Sequence, residues 1–271
     1  MASDIYLYQI AYDNASLASV RSSGFLMLDN LANDRPDWYE YWAIRNFLLK
    51  NALEDAWYGF FSPKFGAKTQ LSLQKANAII RNAEDRHGAN VVLFSPQPDM
   101  GANFLNVFEQ AELFDPGFID AAQAFLSTMD IHLPIVDIVM DSRQIVYSNY
   151  FAAKPIFWKT WFSWTEKLFL MAEDPGNPLS EYFCKITSYG GNAQRKVFLL
   201  ERFASLLLTT RPEFISYASN SFEYGWSMSR FRENPEKTYI NDALKIAFKE
   251  TGFPQYMQAY RSMRDDFIKN S

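Results

Sequence analysis

Asn90–Glu112 reads NVVLFSPQPDMGANFLNVFEQAE, and the fold is decided by how this stretch is read. Val91, Val92, Leu93 and Phe94 form an unbroken apolar run with β-branched and aromatic members, the pattern of a strand buried on both faces. The run stops at Ser95-Pro96-Gln97-Pro98, because proline donates no hydrogen bond to a ladder. Beyond Asp99, the apolar residues Phe104, Val107, Phe108 and Ala111 recur at helical spacing. A buried strand ending in a polar loop beside a helix start is where open α/β sheets place ligands. Here that loop offers Ser95, Gln97, the Asp99 carboxylate and the free N–H groups of a helix start, which suit an anion such as a diphosphate. The plainer alternative is that Asp99 only caps the helix.

Working outward, Ile5–Tyr12 (IYLYQIAY) predicts the first strand, with Tyr12 at its end facing a nucleotide base and ribose or simply closing a core strand. Asp37 is expected to cap a helix over Trp38–Asn51, and Ala56–Ser62 (AWYGFFS) to form a second core strand, in which Gly59 marks a close backbone approach. Lys64, just past that strand, is a candidate cation for a phosphate. Ser72 and Gly88 bracket a helix as cap and stop. Ile145–Ala152 predicts a further strand, and Asn149 inside it must find a partner in the backbone or in a ligand. Pro155 opens a long apolar helix to about Glu173. Another helix spans Gln194–Thr209, where Glu201-Arg202 interrupts an otherwise apolar run; such charges are costly unless paired or exposed, so they point either outward or into a site. Ser219–Pro235 reads as a surface excursion, followed by two amphipathic helices near Tyr239–Glu250 and Pro254–Ile268. These elements predict a single α/β domain over residues 1–271: an α/β core at 1–210 and a helical extension at 211–271.

The totals narrow the function. With 271 residues and 48% hydrophobic content, the chain can bury a large core. A net charge of −5 argues against a general nucleic-acid binder. No apolar run approaches the length of a membrane span, and the N-terminus lacks the basic region of a secretory signal. One cysteine and two histidines leave no internal disulfide and little material for a Cys/His zinc site. The absence of a Ser-His or Cys-His arrangement weighs against acyl transfer. The expected location is the cytoplasm, with peripheral contact at the inner face of the cell membrane open.

The segments RPDWYEYWAIRNFLL (Arg35–Leu49), WYGFFSPKF (Trp57–Phe65), NVVLFSPQPD (Asn90–Asp99), NFLNVFEQAE (Asn103–Glu112), VYSNYFAAKPIFWKTW (Val146–Trp161) and KVFLLERFASLLL (Lys196–Leu208) resemble glycosyltransferase-like proteins of bacterial capsule and lipopolysaccharide clusters. More distantly, their order is similar to that of capsular-polysaccharide glycosyltransferases with a GT-A-like, Rossmann-like mixed sheet. The resemblance implies a nucleotide-sugar donor, a glycan or lipid-linked glycan acceptor, and a donor laid across the ends of the first strand and the Asn90–Phe94 strand. It further implies Glu201 as general base or transition-state carboxylate, Asp99 on the donor sugar or on Mg²⁺ or Mn²⁺, and Asn149 on sugar or acceptor hydroxyls. Lys64, Lys154 or Arg202 would neutralise the diphosphate, with Tyr12, Ser95 and Gln97 contributing to the substrate site. The chain departs from that pattern in lacking Asp-any-Asp, which most such enzymes use to hold the metal. A non-catalytic carbohydrate-binding or scaffold subunit is the alternative.

Overall fold

The computed structural model describes residues 3–269. Residues 1, 2, 270 and 271 of the single-domain span lie outside the described residues. In chain order the elements are β1 (Ile5–Ala11), α1 (Asn14–Ser23), β2 (Leu26–Asp29), α2 (Glu40–Lys50), β3 (Trp57–Phe61), α3 (Phe65–Thr69), α4 (Leu73–His87), β4 (Val91–Leu93) and α5 (Pro98–Asn103). They continue with α6 (Val107–Phe114), α7 (Phe118–Ser127), β5 (Phe151–Ala153), α8 (Pro155–Glu173), α9 (Ser180–Phe183), α10 (Arg195–Thr210), β6 (Ser216–Ala218), α11 (Pro235–Thr251) and α12 (Pro254–Lys269).

The strands form one mixed sheet in the order β2-β1-β3-β5-β4-β6, in which only β5 runs antiparallel to its neighbours. Alternation along each strand sends side chains to opposite faces. Tyr58, Phe60, Val91, Leu93 and Phe151 join the core beneath α2, α8 and α10, while Leu7, Trp57, Phe61, Val92 and Phe94 pack with Ala76, Ile80 and Ala83 of α4. The chain is therefore an α/β protein with helices on both faces of a buried sheet, which is why the central strands read as continuous apolar runs. Gly59 fits its expected role: a β-carbon there would stand 2.8 Å from Phe61 Cζ and 2.9 Å from Leu7 Cδ2.

Several boundaries differ from expectation for identifiable reasons. Asp37 does not cap α2; its carboxylate accepts from Arg35 and Lys196 instead, and Tyr39 holds the cap position. The strand expected over Ile145–Ala152 is confined to β5, because Ser148 and Asn149 take left-handed backbone angles (φ 60° and 52°) that no strand accommodates. Ser219–Pro235 is not a free excursion: Tyr224 and Phe231 are buried in it. β6, within the stretch assigned to the helical extension, pairs with β4 and completes the sheet.

Candidate functional site

In chain order β1 is joined by β2 on one side and by β3 on the other, so the strand order reverses between β1 and β3. Such a switch point leaves a crevice outside the carboxyl ends of the strands. A cavity of about 470 Å³ occupies that place here. Tyr12 enters it from the end of β1, Ser62 and Lys64 from the end of β3, and Ser148 and Asn149 from the turn before the antiparallel β5. The first turn of α2 supplies Tyr39 and Glu40, α3 supplies Lys68, and α10 supplies Phe198 and Glu201.

Two carboxylates and two ammonium groups thus share one aromatic-walled cavity. Glu40 is half-buried; burial, reinforced by the Glu201 carboxylate and partly offset by Lys68 and Lys64, pushes its pKa up. The Tyr12 hydroxyl is pushed up by burial and by the nearby Asp13 and Glu40 carboxylates. Glu201 accepts from Arg202 Nη1 at 3.1 Å. Lys68 Nζ donates to Ser148 Oγ at 2.9 Å, whereas Lys64 stands exposed beside the cavity, its ammonium with no hydrogen bond or ion pair among the described residues. The side-chain oxygen of Asn149 is buried with no hydrogen-bond partner among the described residues, although buried polar groups are nearly always satisfied. Four cavity residues other than glycine, Asn33, Tyr39, Ser148 and Asn149, hold positive φ. Backbone strain of that kind costs roughly 1–3 kcal/mol per residue and concentrates at binding sites.

A second cavity of about 370 Å³ adjoins the first, and Lys68, Ser148, Tyr189, Phe198 and Glu201 border both. Glu201 therefore stands at the partition. The far wall of this second cavity includes Gln97, Gln110, Phe114, Phe118, Tyr147 and Arg202.

No protein-family model, curated sequence or solved structure matches this chain. The site consequently rests on its own geometry.

Of the residues singled out in the sequence, Tyr12, Lys64, Asn149 and Glu201 border the first cavity, and Gln97 and Arg202 border the second. Arg202 is buried, and its guanidinium is directed to Gln110, Glu201 and the carbonyls of Phe198 and Val107, so it orients Glu201 rather than standing free for a phosphate. Ser95 lies outside both cavities; its hydroxyl accepts from Tyr147 N at 3.0 Å and fixes the turn that presents Ser148 and Asn149. Lys154 follows β5 at the opposite end of the sheet, by the amino ends of β3 and β4, where it meets Glu84 at 2.9 Å and Ser3 Oγ at 2.5 Å.

Asp99 is placed differently from its expected role. It is fully buried, with its carboxylate accepting from Ser227 N at 3.0 Å, from the Ser227 hydroxyl and from Ser229 Oγ at 3.1 Å. It neither caps α5, whose cap position is Gln97, nor borders either cavity. The Mg²⁺ or Mn²⁺ that the resemblance implies does not fit there, because the oxygens that would face a cation are directed at three donors. Among the described residues, no group of three His, Cys, Asp or Glu side chains is gathered to hold a metal ion. Nor does the donor span expected between the first strand and the Asn90–Phe94 strand correspond to one crevice, since β3 and β5 lie between β1 and β4.

Glu40, Lys68 and Tyr189 escaped the sequence reading. Lys68 had a signal: it follows Lys64 by four residues, the spacing that aligns side chains on one helix face. Glu40 had only its position among aromatics in DWYEYW.

Proposed function

We propose that this protein is a glycosyltransferase with a GT-A-like arrangement, moving a sugar from a nucleotide-sugar donor to a glycan or lipid-linked glycan acceptor of a surface polysaccharide. The observation that carries the reading is the position of Glu201 between two adjoining cavities, one of them at the switch point of the sheet. A transferase needs two substrates to meet at one base, and a carboxylate at the partition meets that requirement.

The donor lies in the switch-point cavity, whose size is ordinary for a small-molecule site. Tyr12 and Tyr39 flank its aromatic and ribose parts, and Lys64 and Lys68 stand beside the diphosphate, where negative charge grows as it leaves. The Asn149 amide oxygen and the ionised Glu40 carboxylate accept hydrogen bonds from sugar hydroxyls. An acceptor hydroxyl entering from the second cavity attacks the anomeric carbon. Its oxygen forms the new bond, the bond from that carbon to the diphosphate oxygen breaks, and the diphosphate leaves with the electron pair. Glu201 takes the hydroxyl proton, with Arg202 holding it in place.

The test is a thermal-shift panel of nucleoside diphosphates and nucleotide sugars, each with and without Mn²⁺. A donor that binds the folded state raises the melting temperature, and Lys64→Ala is expected to weaken it roughly tenfold, the value of one charge-assisted hydrogen bond. With the donor known, Glu201→Gln is expected to lower kcat by about 10²–10⁴-fold while leaving donor affinity in place. A panel in which no nucleotide shifts the melting temperature, but glycans do, replaces the transferase with a carbohydrate-binding subunit.

A further inference from the structure

The second cavity has a chemistry of its own. Ring faces border it from Phe114, Phe118, Tyr147, Tyr189 and Phe198. The Ser188, Ser227 and Ser229 hydroxyls also border it; they give their protons to Phe114 O and to the Asp99 carboxylate, which leaves their oxygens as acceptors for a ligand's hydroxyls. Tyr147 is only 3% exposed, and its hydroxyl has no hydrogen-bond partner among the described residues. An orphaned phenol at the wall of a cavity is a group that a ligand satisfies at little cost.

The charges around this cavity are mostly committed elsewhere. Each nitrogen of the Arg202 guanidinium is directed at a protein acceptor: Nε at Val107 O, Nη1 at Glu201 and Phe198 O, and Nη2 at Gln110. Asp115 is held bidentately by the buried Arg195, at 2.6 and 2.9 Å. Lys68 donates to Ser148. An anionic ligand entering here would meet no uncommitted cation but Lys68, which also faces the diphosphate in the first cavity, and it would approach the Glu201 carboxylate. Ring faces combined with neutral hydroxyls instead match a pyranose, whose C–H face packs on aromatics while its rim hydroxyls hydrogen-bond.

We propose that this second cavity is the acceptor subsite and that it selects an uncharged sugar over a uronic or other acidic one. The selection rests on the transferase reading for its role in catalysis, but the binding preference stands apart from it. Tyr147 donates its hydroxyl proton to a sugar oxygen, and Phe114, half-exposed at the rim, packs on the ring.

The experiment is ligand-observed NMR on the full chain, using neutral methyl glycosides of glucose, galactose and N-acetylglucosamine beside the methyl glycoside of glucuronic acid. At least one neutral glycoside is expected to bind, and the uronide to bind at least fivefold more weakly. Tyr147→Phe, which removes one oxygen and no packing, is expected to weaken the neutral glycoside about five- to tenfold. Phe114→Ala, a rim truncation, is expected to weaken it about threefold or more. Lys64→Ala is expected to leave it unchanged while weakening nucleoside diphosphates. Equal or tighter binding of the uronide overturns the proposal, and so does neutral binding that neither aromatic substitution alters, or no glycoside binding at all. Glycoside binding with these preferences, in a protein to which no nucleoside diphosphate binds, upholds the subsite and removes the transferase role.

Discussion

Glu40 and Glu201 border one cavity but differ in surroundings, and the role of Glu40 is testable by pH. Glu201 has a close guanidinium partner in Arg202. Glu40 has burial and a neighbouring carboxylate against it, and its pKa is raised. A carboxylate that must be ionised to accept a hydrogen bond from the donor loses that role as pH falls through its pKa. The acid limb of kcat/KM is therefore expected above the ordinary glutamate value of about 4.3. Glu40→Gln keeps the shape but not the titration, and is expected to move that limb to lower pH together with a higher donor KM. A limb unchanged in Glu40→Gln would take Glu40 out of donor binding. At this scale the sequence is partly legible. Tyr12, Lys64, Asn149 and Glu201 each stand at the end of a strand or inside an apolar run, where a polar residue has to be explained, and the fold brings them to one cavity. Asp99 and Lys154 carry the same local signal and go elsewhere. Their partners decide this from afar: Ser227 lies 128 positions from Asp99, and Ser3 lies 151 positions from Lys154. No local pattern carries that information.

Elements follow the same logic. Those whose limits are set by backbone chemistry within a few residues were readable: α4 runs from the Ser72 cap to left-handed Gly88, and α8 starts at Pro155. The strand expected at Ile145–Ala152 was not, because the turn at Ser148 and Asn149 is imposed by contacts from Ser95 to Tyr147 N and from Lys68 to Ser148. Tertiary contacts override β-propensity in such cases. The junction of α5 with α11 offers an element-scale prediction. Lys245 of α11 is fully buried and donates to Gly101 O at 2.7 Å and Phe104 O at 2.9 Å. Burial, only partly offset by Asp242 and Asp141, pushes its pKa down to about 8. In the unfolded chain a lysine titrates near ~10.4, so between those values the unfolded state binds more protons and stability rises with pH. The cost of the buried cation is thus fully present below about pH 8 and is relieved as pH rises toward the unfolded value. Lys245→Met removes the titrating group. Denaturant unfolding at pH 7.5 and pH 9.5 is expected to show a larger stability gain in the wild type than in the variant. An equal gain in both would mean that Lys245 is not the group responsible.

Across the whole molecule, the two edges of the sheet have separate duties. Both cavities open at the edge holding the carboxyl ends of the parallel strands, where the left-handed Ser148 and Asn149, the orphaned Asn149 and Tyr147 oxygens and the Lys64 ammonium are found. The opposite edge is clamped. Lys154 bridges Glu84 of α4 and the Ser3 hydroxyl, with the Trp57 ring 5.3 Å away, tying the chain's start to the second sheet face. Burial alone would raise the Glu84 pKa, but the Ser3 hydroxyl and the Lys154 ammonium at its carboxylate outweigh it and hold it at about 2. A folded pKa below the unfolded one gives stability that is present above about 4.5 and lost as pH falls toward 2. Lys154→Met keeps the apolar stem and deletes the charge, leaving Glu84 with weaker partners. It is expected to lower stability by about 1–2 kcal/mol near neutral pH and to flatten the acid dependence, since Glu84 then titrates closer to its unfolded value. Because the clamp and the cavities lie at opposite ends of the same rigid strands, the same substitution is expected to leave nucleoside diphosphate and glycoside affinities within twofold, whereas Lys64→Ala is expected to do the reverse. Denaturant unfolding at several pH values and the thermal-shift panel on the same two variants measure both quantities. If Lys154→Met weakened ligand binding as strongly as Lys64→Ala, the separation of the two edges would fail, and with it the placement of the site at the switch point alone.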